Sequence, residues 1–244
     1  MMVYMKKIPI MLLLVLTLSG CSFMKKQVAI AELNEEKLRE ENFSVDLTSR
    51  QEPAGEIEVQ FVNGFNPFSG LKVADVVVSY FPVEDAVCLK YRYTTDTYYQ
   101  FWKRDGRAAF IIALAKYNED YSAQNLVRKK TNETKNRYGS VRSYLTWQQY
   151  KYSFMSRANA DILLGYVFKE KSPFFTITQG EAVYKDPFHN KQRNKSLGEM
   201  PMYLTRAQAA DLASLFDQEF LRSLAPDLPD QSLNTRRETQ FDTY

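Results

Sequence analysis

The side chains able to do chemistry are few and scattered. One histidine, His189, lies in the polar stretch after Pro187. A zinc site needs three or four convergent ligands, and no HExxH, paired-cysteine or Asp-rich calcium loop accompanies it. His189 therefore reads as a solvent-exposed loop residue rather than a ligand or general base. GxSxG elbows, GxxxxGK[ST] phosphate loops and GxGxxG turns are absent from the sequence. Cys88, in "AVCLKYRY", would need a basic partner to act as a nucleophile, and its strand context reads as an inert buried thiol. Carboxylates remain. Glu119 and Asp120 fall on one predicted helix, Asp211 and Glu219 on another. Neighbours in a helix do not face one another, so exposed faces are expected for them. Asp75 is a charge among valines in "KVADVVVSYF". Pairing with a base or placement at a sheet edge is its expected explanation.

Aromatics are denser than acids. "YRYTTDTYYQFW" holds Tyr91, Tyr93, Tyr98, Tyr99, Phe101 and Trp102 within twelve residues. Exposed faces of Tyr91, Tyr93, Tyr98, Tyr99 and Trp102 would stack on sugar rings or clamp a peptide. The alternative, and the expected reading, is that they fill a sheet–helix core and its rim.

The N-terminus carries a different kind of chemistry. Lys6 and Lys7 precede an apolar run of 11 residues, Ile8 to Leu18. At 1.5 Å per residue, such a run covers about half of a ~30 Å hydrocarbon core, too little to span it as a helix. A charged start, a short apolar centre and small residues after it match an export signal. Leu18-Ser19-Gly20-Cys21 then resembles the lipobox of bacterial lipoproteins. The resemblance covers only the first 21 residues. It implies that the Cys21 thiol takes a diacylglycerol, that cleavage falls just before it, and that the new amine can be acylated. Two or more chains give durable anchoring where one gives only marginal binding.

Removing residues 1–20 takes away Lys6 and Lys7 and no acid, which lowers the formal net charge from +3 to +1. A nearly neutral domain is not built to coat nucleic acid. With Cys21 lipidated, Cys88 has no partner for a disulfide within the chain, so a hydrophobic core must hold the fold. The 16 Tyr and 16 Phe supply the mass for one.

The elements that would position these residues follow from periodicity. Residues 21–55 comprise the lipidated cysteine and a polar tether; 56–226 form the globular domain; 227–244 are a polar tail. "EIEVQFVNGF" alternates as a half-buried strand, "KVADVVVSYF" is apolar on both faces, and "AVCLKYRY" returns after a turn at Pro82–Asp85. A helix with Phe110, Leu114, Tyr117 and Tyr121 on one stripe follows. Its start is capped by Asp105, or earlier by Thr97 with Gln100. The charged run Arg128–Gly139 reads as a loop. "SVRSYLTWQQYKYSFM" is one strand with Val141, Leu145 and Trp147 on one face, switching to Tyr150, Tyr152 and Phe154 at a bulge near Gln148 and Gln149. "DILLGYVFK" and "FFTITQGEAVYK" complete a second block, Gly180 marking a kink, and residues 185–199 read as a polar loop. Thr205 with Gln208 opens a last helix with Ala209, Leu212, Leu215, Phe216, Phe220 and Leu224 on its buried stripe.

The expected fold is therefore α+β: about six antiparallel strands in two three-strand blocks, each followed by one amphipathic helix. "RAAFIIAL" and "QAADLASL" share a faint pattern, which chance between amphipathic helices explains better than a repeat. The functional expectation is a lipid-anchored, non-catalytic interaction or structural domain of the bacterial envelope, facing the periplasm or exterior. Its partners would be the membrane, through the lipid on Cys21, and an envelope protein or glycan, without nucleic acid. No motif implies a cofactor or a metal. A small-ligand or glycan binder built on the Tyr/Trp cluster is the second reading, and a carboxylate-based hydrolase the third.

Overall fold

A computed structural model describes residues 44–62, 70–128, 136–148, 155–169, 171–185 and 194–228. Eight strands close into one antiparallel barrel. They are β1 (Glu52–Val62), β2 (Leu71–Phe81), β3 (Ala86–Tyr93), β4 (Asp96–Lys103), β5 (Arg137–Gln148), β6 (Met155–Lys169), β7 (Ser172–Gln179) and β10 (Met200–Leu204). Their order around the wall is β1-β10-β7-β6-β5-β4-β3-β2. The remaining strands, β8 (Ala182–Lys185) and β9 (Asn194–Leu197), pair with each other as a separate two-stranded sheet. The helices are α1 (Arg104–Ser122), α2 (Arg206–Leu215) and α3 (Gln218–Leu224).

This corrects the expectation of about six strands in two blocks. Two strands escape the periodicity. β4 is the aromatic stretch "DTYYQFWK", whose Thr97 and Gln100 mimic a helix start while lying in the ladder opposite Arg92 and Leu89. β10 is five residues long and contains Pro201, which disguises a strand. It is nevertheless the closing strand: Gln60 pairs with Tyr203 and Phe61 with Met202, so β1 meets β10 and no sheet edge remains in the barrel.

Antiparallel partners share a face, so the register fixes what fills the barrel. Ile57, Val59, Val76, Val78, Leu89, Tyr91, Tyr98, Val141, Leu145, Trp147, Ala160, Ile162, Leu164, Ile177 and Met202 are buried on the inner face. Many reach 0% exposure, Val59, Val76, Leu89, Leu145 and Ile162 among them. Side chains of the strands themselves occupy the interior, as expected of an eight-stranded barrel. Glu56, Glu58, Asp75, Lys90, Arg92 and Arg157 stand exposed on the outer face.

Helices close one end. Phe110 of α1 meets Trp102, Phe175 and Phe216 at centroid distances of 6.1, 5.5 and 5.1 Å, all edge-on. Tyr117 lies beside Phe175 and donates its hydroxyl to the Pro173 carbonyl at 3.1 Å. Helix α1 starts at Arg104 with Lys103 as an N-cap that makes no side-chain bond, so neither Asp105 nor Thr97 fills that role. Thr205 does cap α2, in a capping box with Gln208. The predicted last helix is two: it breaks after Phe216, and Asp217 caps α3 by accepting from Phe220 N at 2.9 Å.

Two further expectations change, and one lies outside the described residues. Strand β5 ends at Gln148, and the proposed switch to Tyr150, Tyr152 and Phe154 lies outside the described residues. Residues 194–197, read as loop, form β9. β1 begins at Glu52, ahead of the expected domain start at 56, and Val45 is buried on the outer wall against a cluster of Phe81, Ala86, Cys88, Phe101 and Tyr144. Gly180 does end β7. Its N–H donates to Asp161 O at 2.8 Å, and a Cβ there would sit 2.9 Å from that oxygen.

Replacing Phe110 with Ala should lower stability by about 3–5 kcal/mol, since a buried aromatic leaves both lost contacts and a cavity. A lower denaturant midpoint at unchanged slope is the expected result. Burial pushes the Tyr117 hydroxyl up to about 12 from its ordinary 10.0. The folded barrel thus keeps a proton that the unfolded chain gives up, so stability should hold below pH 10 and fall as pH rises from there toward 12. Tyr117→Phe should flatten that decline in denaturant titrations taken across the same range.

Candidate functional site

The aromatic cluster is split by the alternation of β3 and β4. Tyr91, Tyr98 and Trp102 point inward and are buried, with Tyr93 partly so at the rim. Tyr91 stacks on Tyr98 at 5.6 Å and 12°, and Phe61 stacks on Tyr91 at 5.4 Å and 29°. These rings plug one end of the barrel while Trp102 lies under the helices at the other. Burial holds the Tyr91 hydroxyl well above the usual tyrosine range. Tyr99 faces outward, with Lys90 Nζ 5.8 Å from its ring centroid. Tyr91, Tyr93, Tyr98, Tyr99 and Trp102 therefore present no common surface to a ligand.

The candidate acids do not converge either. Asp75 is exposed on the outer wall opposite Glu58, so it occupies neither a sheet edge nor the core. Glu119, Asp211 and Glu219 are exposed on α1, α2 and α3, and Asp120 accepts a 2.8 Å bond from the Tyr138 hydroxyl. Cys88 is buried on the outer wall, and burial pushes its thiol well above its ordinary range. His189 and Cys21 lie outside the described residues. Among the described residues, no three His, Cys, Asp or Glu side chains gather as a metal site would require.

Two features were not foreseen. The first is a charge cluster at the helix-covered end. Arg107 is 1% exposed. Its Nη2 donates to Asp85 Oδ1 and to Gln218 Oε1, each at 2.7 Å; its Nη1 donates to Asp85 O at 2.8 Å and Trp102 O at 3.0 Å. Arg104 Nε donates to the other carboxylate oxygen of Asp85 at 2.6 Å. Tyr80 donates to Asp85 Oδ1 at 3.3 Å, and burial followed by the Asp85 charge raises the Tyr80 hydroxyl pKa. Asp85 takes a left-handed φ of 46° to reach these partners. Both carboxylate oxygens of Asp85 are thus engaged by guanidiniums of the chain itself. The cluster is a clamp joining the β2–β3 turn, the end of β4, α1 and α3.

The second is a groove of about 130 Å³ on the outer wall over β6, β7 and β10. Arg137, Lys169, Thr176, Thr178, Glu199 and Tyr203 contribute its polar lining. Gly165 forms part of the floor, opposite Arg137 in the β5–β6 ladder, where the register shifts between Arg137 and Gly139. A Cβ at Gly165 would lie 2.5 Å from the Asn136 carbonyl oxygen, so this approach of β5 to β6 requires glycine. Lys169 Nζ sits 4.7 Å from the Tyr203 ring centroid. The residues come from four strands and the turn before β10. Only the outward alternation of Thr176 and Thr178 hinted at them in sequence.

A family model described as an uncharacterised Treponema protein matches residues 25–223. No curated protein and no solved structure matches the chain.

Asp85→Asn keeps the shape of the clamp and removes its negative charge, leaving Arg107 buried without compensation. Stability should fall by about 3–5 kcal/mol, the range for breaking one partner of a buried pair. Denaturant unfolding of the variant against the parent measures it, with Arg104→Gln, whose side chain is 39% exposed, costing far less.

Proposed function

We propose that this chain, which belongs to the family described as an uncharacterised Treponema protein, is a lipid-anchored bacterial envelope protein whose barrel is a non-catalytic binding module. The anchor is the Cys21 thiol, supported by the charged start, the short apolar run and Leu18-Ser19-Gly20-Cys21. The barrel itself stands in water. Apolar side chains fill its interior, and the outer face carries charged side chains such as Glu56, Glu58, Asp75, Lys90 and Arg92, unlike a membrane-spanning barrel, whose outer band is apolar.

One observation carries the binding reading: the inner face is filled by its own buried side chains, whereas the outer wall carries a groove lined by polar side chains such as Arg137, Lys169 and Thr176 together with apolar ones such as Leu163 and Val167. Ligand recognition therefore belongs to the outer wall over β6, β7 and β10, in place of the Tyr/Trp cluster. A hydrolase is disfavoured because the acids sit on separate exposed faces and Asp85 is engaged by two arginines.

Expression of the full chain and of Cys21→Ser in a bacterial host tests the anchor. The parent should partition into the detergent phase, show a lipid-modified N-terminal cysteine by mass spectrometry and leave one free thiol, Cys88, after denaturation. Cys21→Ser should move to the aqueous phase and keep its signal. An unmodified N-terminus in the parent refutes the reading.

A further inference from the structure

The outer-wall groove has a charge pattern that specifies its ligand, an inference that rests on the binding reading above. Among the described residues, Arg137 and Lys169 bring two cations to the lining and Glu199 a carboxylate. Among the described residues neither cation makes an ion pair. Lys169 is instead held against the face of Tyr203 at 4.7 Å, which places the ammonium without neutralising it. Thr176 and Thr178 sit two apart on β7 and share its outer face, so their hydroxyls supply donors along the same wall. The absence of a side chain at Gly165 lets the backbone of Asn136 and Arg137 approach closely, which brings Arg137 to the edge of the groove.

We infer that this groove binds an oxyanion, a carboxylate or phosphate group, between Arg137 and Lys169 with the hydroxyls of Thr176 and Thr178 beside it. A guanidinium and an ammonium with adjacent hydroxyl donors match the acceptor-rich oxygens of such a group. The groove, of about 130 Å³ and open to solvent, has room for the charged end of a small or chain-like molecule. Free anions and the end groups of envelope polymers share this chemistry, and the probes below separate carboxylate from phosphate.

The test uses full-length ¹⁵N-labelled protein in detergent, titrated separately with inorganic phosphate, N-acetylalanine and the neutral N-acetylalanine amide. One or both oxyanions should shift the amide signals of Gly165, Thr176 and Thr178 saturably, and the neutral amide should not. Phosphate alone acting assigns a phosphate-bearing ligand; N-acetylalanine alone acting assigns a carboxylate. Lys169→Gln and Arg137→Gln should each weaken binding about tenfold or more, as loss of a charged hydrogen-bond partner does. Thr176→Val serves as a further variant should either charge variant fail to fold, and should also weaken binding. No saturable shift with either anion overturns the assignment, as does equal affinity across the variants or equal binding of the neutral amide. Lipidation of Cys21 is read by phase partition in a separate assay, so loss of the anchor and loss of the anion site give different results.

Discussion

A guanidinium sealed at the end of an apolar barrel has to be neutralised where it lies, and the chain bends to do so. Arg107 stands among Trp102, Asp85 and Gln218 with almost no exposure. Moving an unpaired charge into such surroundings costs several kcal/mol. Asp85 offsets that cost by adopting a left-handed backbone and presenting both its carboxylate and its carbonyl. The same contacts decide where the helices go. Arg107 belongs to α1, Gln218 to α3 and Trp102 to β4, so one ion pair orients both helices over the strand ends. Phe110, Phe175 and Phe216 then pack beneath with no polar group of their own to satisfy.

Closure and filling divide the labour between the two faces of the wall. Inside, alternate side chains from all eight strands meet and leave recognition to the exterior. Outside, charged side chains stand exposed on β1, β2 and β3, while the start of β5 shifts register against Gly165 and the wall dips over β6, β7 and β10. A barrel of this size gains rigidity from having no edge. Polar side chains on such strands hold their positions better than on loops. On the proposed reading, that steadiness is what would let a shallow depression there hold a small charged group.

Parts of this were legible. β1 and β3 carry clear alternation, β2 is legible as a β-branched run apolar on both faces, α1 shows its stripe through Phe110, Leu114 and Tyr117, and α2 announces its start through Thr205 and Gln208. Local pattern failed where two templates compete. Thr97 and Gln100 fit a capping box as well as a strand, and only the ladder to β3 decides between them. The barrel itself depends on Phe61 meeting Met202, a pairing with no local signature at either place. Likewise Asp85 and Arg107 are separated by two whole strands, β3 and β4, and the groove draws Arg137, Lys169, Thr176 and Tyr203 from different strands. Spacing along the chain displayed the Tyr91–Trp102 cluster plainly, yet it took pairing register to show that most of those rings point inward.

The seam between β1 and β10 carries a consequence for how the molecule is made. Strand β1 emerges early during synthesis and β10 near the end, with only α2, α3 and the tail after it. Until residues 200–204 arrive, β1 and β7 are the two free margins of an open ribbon. Chains cut short before β10 are left with adhesive borders, and quality-control proteases would meet them as ribbons instead of sealed cylinders.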